Sequence, residues 1–382
     1  MDNTVPFSFP LLSFLPLATI TPFVMPMIIG AHFYGHNPSI NDSARDSDGH
    51  GSHTASTAAG NKVRDAVSLE LQEVQQEEGS HLQGFLFINF AIGSFHAMAK
   101  GILTVQSAGN YGPGRGSISS IAPRLPSVAV NTIDRRFINK VSLGDGRTLV
   151  GKSINGFASN GKKFPIIDGV KASLPHCEDP QYCYPICLDE EKIKGKILLC
   201  PKNVDGAIRE GFLLGPSGFI VLEEDIVANV DPLPSSYVDI NAPLIASFSS
   251  RGPNEKVPEI MKPDISAPGV NILAAYPPIY PPSHVDGDKR SVNYSIISGT
   301  SMSCPHVAGV AAYIKSFHPD WSPAAIKSAI MTTAKPMNSS EDKEFAYGSG
   351  HLNPIEAVNP GLVYELSRDD YVEMLCNIGY NT

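Results

Sequence analysis

The 382-residue sequence predicts an α/β fold with a parallel sheet, and three stretches carry that prediction. "IGSFHAMAKG" (92–101) places Ile92, Phe95 and Ala99 on one helical face, with Gly101 suited to a left-handed helix end. It is followed by "ILTVQSA", which reads as a buried strand, and by the glycine loop "GNYGPG". Helix, strand and glycine loop in that order put a functional loop at the carboxyl end of a strand. The third stretch, from Ser301 on, reads as two buried helices in tandem. Val307, Val310, Ala311, Ile314 and Phe317 follow helical spacing, and Ser322 with Pro323 is an N-cap and first-turn signal for a helix carrying Ile326, Ala329 and Ile330.

Elsewhere the texture differs. The first 44 residues contain no Lys or Arg, and the apolar run from Val5 to Ile29 is broken by Pro6, Pro10, Pro16, Pro22 and Pro26. A secretory signal wants a basic start, and a membrane span wants about 20 helical apolar residues, so 1–26 reads as an atypical segment that is neither. Between Val141 and Ala246, short apolar runs such as "GKILLC" and "GFIVL" alternate with Gly, Pro and charges, as in an inserted β-rich module. "APLIASFSSRGPN" and "KPDISAPGVNILAAY" then predict a return to long strands and loops.

Composition bounds the function. With 42% hydrophobic and 18% charged residues the chain can bury a substantial core. Its formal net charge of -9 comes without a basic block, which sets nucleic acid aside as a partner. Cys177, Cys183, Cys187 and Cys200 cluster without paired C-x-x-C spacing, which favours disulfides in an oxidising compartment over zinc. Asn41, Asn293 and Asn338 each begin an N-x-[ST] triplet compatible with secretion. No carboxylate cluster at ligand spacing implies calcium or another metal, and no cofactor is implied.

Three side chains carry candidate chemistry. Ser301 in "GTSMSCPH" precedes a small-residue helix whose free N–H groups and dipole could hold an oxyanion, although a serine there is as readily a plain N-cap. Serine needs a base, and His50, between Gly49 and Gly51, can present its ring edge, although a capping or core histidine is the blander account. Asn110, where strand meets glycine loop, could donate its amide, although Asn in a glycine-rich loop also suits ordinary turns.

Taken in order, "DSDGHGSHTASTAAG", "GILTVQSAGNYGP", "ASFSSRGPN", "KPDISAPGVNILAA" and "SGTSMSCPHVAG", continued by "SPAAIKSAIMTTA" and "NPGLVYELSRDDYVEMLC", make the chain from about Met27 onward resemble the subtilisin-like serine proteases. It is most similar to their plant branch, the cucumisin-like subtilases of peptidase family S8. The resemblance implies a doubly wound parallel sheet with helices on both faces, interrupted by a protease-associated insertion. It divides the chain into 1–26, a first catalytic part 27–140, the insertion 141–242, and a second catalytic part 243–382 with a carboxyl-terminal extension. The resemblance makes His50 the general base, Ser301 the nucleophile and Asn110 the oxyanion donor. An asparagine donor and the chain order Asp, His, Ser are long established for subtilisin itself. His53 matches the family's second, non-catalytic histidine, and Met302 and Cys304 match packing around the nucleophile. A protein or peptide substrate, a homodimer through the insertion, no membrane association and an extracellular location in the cell wall or apoplast are implied in the same way.

The chain also departs from the family pattern. The family's aspartate in D-T-G or D-S-G has no counterpart here: Asp2 has no strand before it, and Asp42, Asp46 and Asp48 belong to the polar lead-in to His50. Between Gly60 and Ala91 the substrate-pairing S-L-G-G strand gives way to an acidic, glutamine-rich stretch, which predicts an incomplete sheet. An inhibitory propeptide and the family's terminal β-sandwich are expected to be missing, as in a truncated or mis-spliced product. Two functions follow: a serine endopeptidase working through an acyl-enzyme on Ser301, or a catalytically impaired remnant with a binding role. An α/β-hydrolase esterase is discounted, because "GTSMS" lacks the glycine two residues after Ser301 that G-x-S-x-G requires.

Overall fold

A computed structural model describes residues 46, 48–60, 71–72, 83–119, 121–152, 162–201, 214–221, 235–238, 241–255, 257–282, 289–337 and 342–377. Segment 1–26, Asp2, Asp42, Asn41, Asn338 and most of the acidic stretch after Gly60 lie outside them. The first part of the chain forms α1 (His50–Ala59), β1 (Leu71–Gln72), α2 (Gln83–Met98), β2 (Gln106–Ser107) and β3 (Ser127–Asn131). The middle forms β4 (Arg135–Ser142), β5 (Thr148–Lys152), β6 (Ile166–Asp168), α3 (Gly169–Ala172), α4 (Glu190–Ile193), β7 (Ile197–Cys200), β8 (Gly218–Val221) and β9 (Ser235–Val238). The last part forms β10 (Ile265–Pro268), β11 (Ile272–Ala275), β12 (Tyr294–Ile297), α5 (Thr300–Phe317), α6 (Pro323–Thr332), α7 (Glu344–Tyr347) and α8 (Arg368–Asn377).

The fold is α/β. β10, β3 and β2 form a parallel sheet in that order, with Ile265 opposite Val128 and Gln106 opposite Ser127. Strand β3 is buried at every residue, as the central strand of a sheet covered on both faces must be. Helices α5 and α6 lie on this sheet, where Val307, Ala311, Ile314, Ile326 and Ile330 meet Leu103, Val128, Ile265 and Ala267. Each large aliphatic side chain so buried contributes about 1.5–3 kcal/mol. A second sheet pairs β12 with β1 in parallel and with β11 antiparallel.

At the amino ends of the parallel strands sits a buried charged knot. Asp264 accepts from Ser127 N–H at 2.7 Å and returns its own N–H to Ser127 O, fastening β10 to β3. Lys262 Nζ donates to Leu125 O at 2.7 Å and to Asp264, while Lys327 Nζ stands 2.7 Å from the other carboxylate oxygen. Burial lowers the Lys262 ammonium to about 8, with Asp264 opposing that fall. Burial would raise Asp264, but the two ammonium groups reverse this and hold it below its usual range.

Several expectations on elements need correction. Helix α2 ends as expected at a left-handed Gly101, φ +77°, but Ile92 is 53% exposed and Ala99 is exposed too. The face that packs carries Ser94 and Phe95, because Arg124 lies there, donating to Ser94 Oγ and Ala91 O with its guanidinium 5.3 Å from the Phe95 ring. Phe317 is likewise 55% exposed, edge-on to Tyr313 at 5.0 Å. The strand in "ILTVQSA" shrinks to two residues, since its ladder starts at Pro126 O, and Pro126 has no N–H to extend the pairing upstream. "APLIASFSSRGPN" forms a loop with a single bridge, Ile245 to Asn131, rather than a long strand.

The middle of the chain builds an antiparallel sheet β5-β4-β9 and a parallel sheet β6-β7-β8. "GKILLC" and "GFIVL" supply β7 and β8 as anticipated. The four clustered cysteines form two disulfides, Cys177–Cys187 and Cys183–Cys200, and Cys183 and Cys200 are buried with Ala172, Leu188, Ile193, Leu198 and Phe219.

Candidate active site

The expected base opens helix α1, and its setting is built by Asp46. That buried carboxylate accepts from Asp48 N–H at 3.0 Å, Gly49 N–H at 2.9 Å, and both Ser52 N–H and Ser52 Oγ at 2.6 Å. It thereby satisfies free amides of the first turn and places a negative charge at the positive end of the helix. Gly49 takes φ +103°, and a Cβ there would stand 2.2 Å from the Tyr276 ring, so only glycine fits before His50. Tyr276 OH in turn donates to Asp48 O at 2.9 Å.

His50 is half-buried, whereas His53 is fully buried. Nε2 of His53 faces two carbonyl oxygens, Ile272 O at 2.8 Å and Ser295 O at 3.2 Å, so it must carry the proton and donate. Burial lowers His53 to about 4, against the pull of these two carbonyls, and the ring is neutral at ordinary pH. His53 therefore bolts α1 to the β11–β12 pair.

The expected nucleophile lies in the first turn of α5, half-buried. Gly299 N–H donates to Gly269 O at 2.8 Å, and Ser303 Oγ donates to Ala267 O at 2.8 Å, so the start of the helix is tied to the carboxyl end of β10. Pro305 inside the helix has no N–H, so the Ser301 carbonyl loses its usual partner one turn on. Met302 is fully buried with Ile272, Tyr276, Val292 and Ile297. Cys304 is a free, partly buried thiol, pushed up to about 12 by burial, which disfavours its thiolate.

Asn110 follows Gly109, φ +108°, just beyond the end of β2. Its Oδ1 accepts from Thr300 N–H at 3.0 Å and from Thr300 Oγ1 at 2.9 Å. Two donors on one oxygen decide the amide's orientation, leaving Nδ2 with its hydrogens on the other side. A Cβ built on Gly299 would lie 3.6 Å from Asn110 Nδ2, 3.8 Å from Ser301 N and 3.9 Å from Asn110 Oδ1, so the Asn110 amide and the Ser301 N–H border one point.

Asn110 and the Ser301 turn are thus brought together directly. His50 and Ser301 are related through their helices: Ala58 in the last turn of α1 has its carbonyl 2.8 Å from where a Gly309 Cβ would be, midway along α5. The two helices touch backbone to backbone. Among the described residues, neither His50 nor Ser301 makes a side-chain hydrogen bond, and no carboxylate pairs with His50. Among the same residues no group of His, Cys, Asp or Glu could hold a metal, and no helix is long and apolar enough to cross a membrane. Thr300 is not among the candidates read from the sequence, because its role rests on a bond to Asn110, 190 positions away.

Known proteins match this chain widely. A profile of the subtilase family (Peptidase_S8) matches residues 67–350. Subtilisin-like protease SBT4.3 of Arabidopsis thaliana is 43% identical over 434 residues, covering 93% of this chain and 59% of that protein. Subtilisin-like protease SBT4.6 of the same plant is 43% identical over 436 residues, covering 92% and 59%. The chain thus spans about 59% of the length of these relatives. The solved structure of the prenylagaramide maturation protease PagA covers 31% of this chain at 26% identity and a TM-score of 0.24, too slight a likeness to bear on the fold. The profile match takes in the strands, the Asn110 loop and the Ser301 helix described above, and by it the chain belongs to the subtilase family.

Proposed function

We propose that the chain is a serine endopeptidase. Ser301 Oγ attacks a peptide carbonyl while His50 takes its proton, Asn110 Nδ2 and the Ser301 N–H hold the oxyanion, His50 returns the proton to the leaving amine, and water hydrolyses the acyl-enzyme. The observation that carries this reading is the double hydrogen bond from Thr300 to Asn110 Oδ1, which ties the amide to the first turn of the Ser301 helix and leaves Nδ2 as its donor. The positive end of α5 adds a favourable field at the same place. The test is covalent labelling of Ser301 by a fluorophosphonate, lost in Ser301→Ala. Folded protein that takes up no label at Ser301 refutes the reading.

A second reading, an impaired subtilase with a binding role, is favoured by one observation: Asp46, the buried carboxylate nearest His50 in sequence, is spent on capping α1. In subtilisin itself, loss of the orienting aspartate costs on the order of 10⁴ in turnover, with about 10³–10⁴ over water remaining. Labelling without measurable peptide turnover selects this second reading.

We further propose that 141–242 is a protease-associated insertion and that the protein acts outside the cell, in the wall or apoplast. The two disulfides support an oxidising, secretory route. A homodimer through the insertion is tested by sedimentation of the intact chain against one lacking 141–242.

A further inference from the structure

We infer that Ser250 is the positioning residue for the Asn110 main chain, an inference that rests on the endopeptidase reading. Thr300 holds the amide oxygen of Asn110 from the helix side. Ser250 holds the backbone on both flanks of Asn110 from the opposite loop. Its N–H donates to Gly109 O at 2.9 Å, and its Oγ accepts from Tyr111 N–H at 3.1 Å. Gly112 N–H adds a third tie, to Phe248 O at 2.8 Å. Ser250 is fully buried and its bond to Tyr111 N–H is partly buried, so loss of Oγ removes a main-chain tie that water replaces only in part.

The approach is as close as the chain permits. A Cβ on Gly109 would stand 2.8 Å from Ser250 Oγ and 3.3 Å from Ser119 Oγ, and φ +108° at Gly109 independently favours glycine. An oxyanion donor contributes only if its N–H is already aimed, and a small displacement of the reacting geometry costs rate steeply. Gripping the peptide group on each side of Asn110 fixes where its side chain starts, and Thr300 fixes where it ends. The loop "SFSSRG" thereby acquires a role in the chemistry without touching substrate.

The test is a double-mutant cycle read by fluorophosphonate labelling of Ser301. Ser250→Ala keeps the backbone N–H and deletes the acceptor, and it is expected to slow labelling about tenfold. In an Asn110→Ala background the same substitution is expected to change the rate by less than about twofold, because its route of action is gone. Equal slowing in both backgrounds, or none in either, overturns the inference. A second readout is independent of labelling: the Tyr111 amide is expected to be protected from hydrogen exchange in the unaltered protein and to exchange at least about tenfold faster in Ser250→Ala. If the unaltered protein takes up no label, the endopeptidase reading falls while this exchange result still decides the role of Ser250. An unprotected Tyr111 amide in the unaltered protein overturns it even where Ser250→Ala does not fold.

Discussion

Asp46 receives both the amide and the hydroxyl of Ser52 at 2.6 Å on a single carboxylate oxygen, which commits the acid to the start of α1. Asp46→Ala is therefore expected to cost about 2–3 kcal/mol of stability, since it removes a cap and strands buried amides. Denaturant titration measures that loss. Per folded molecule, labelling at Ser301 should fall no more than severalfold; a fall near 10⁴ would instead make Asp46 the partner of His50.

Thr300→Val keeps the shape of the side chain and removes one of two donors to Asn110 Oδ1. Labelling of Ser301 is expected to slow about tenfold, and Asn110→Ala to slow it about 10²–10³-fold. If both substitutions leave the rate unchanged, the amide is not an oxyanion donor.

His53 supplies a pH dependence whose sign is determined. Its folded pKa of about 4 lies below the ordinary 6.5, so between these values the unfolded chain binds more protons. Stability is complete above about 6.5 and falls as pH drops toward 4, by on the order of 3 kcal/mol. His53→Gln retains an N–H for Ile272 O and cannot titrate, so it should flatten most of this slope. His306 and His351, also lowered chiefly by burial, leave the remainder. Unfolding midpoints at pH 5 and 7.5 for both proteins check the expectation.

Gly309→Ala drives a methyl group to 2.8 Å from Ala58 O and must part α1 from α5. A cost of about 1–3 kcal/mol in stability is expected. Labelling should slow by more than that strain alone suggests, because the two helices carry His50 and Ser301. Equal labelling by both proteins would mean that the spacing of base and nucleophile does not depend on this contact.

The candidate site was proposed from the sequence because each candidate stands in a short local signal: His50 between two glycines, Asn110 at a strand's end, Ser301 before a small-residue helix. Ser250 and Thr300 were not, since each acts through a hydrogen bond to a partner more than a hundred positions away. The buried faces of α2 and α5 were partly misread for a similar reason. Periodicity shows that Ile92 and Phe317 share a helical face with apolar neighbours, but it does not show that Arg124 waits opposite Phe95, or that Phe317 closes on Tyr313 at the surface. The tandem helices and the N-cap at Ser322, which accepts Ala325 N–H at 3.1 Å, were legible because capping is local chemistry.

The two disulfides interleave: Cys183 lies within the loop closed by Cys177 and Cys187, while its partner Cys200 lies outside it. A single backbone cut anywhere between Cys177 and Cys200 therefore leaves the two fragments covalently joined. Ile186, 82% exposed, lies on that stretch. A nick there would release neither half, so a clipped molecule would keep both pieces of its middle region on one particle.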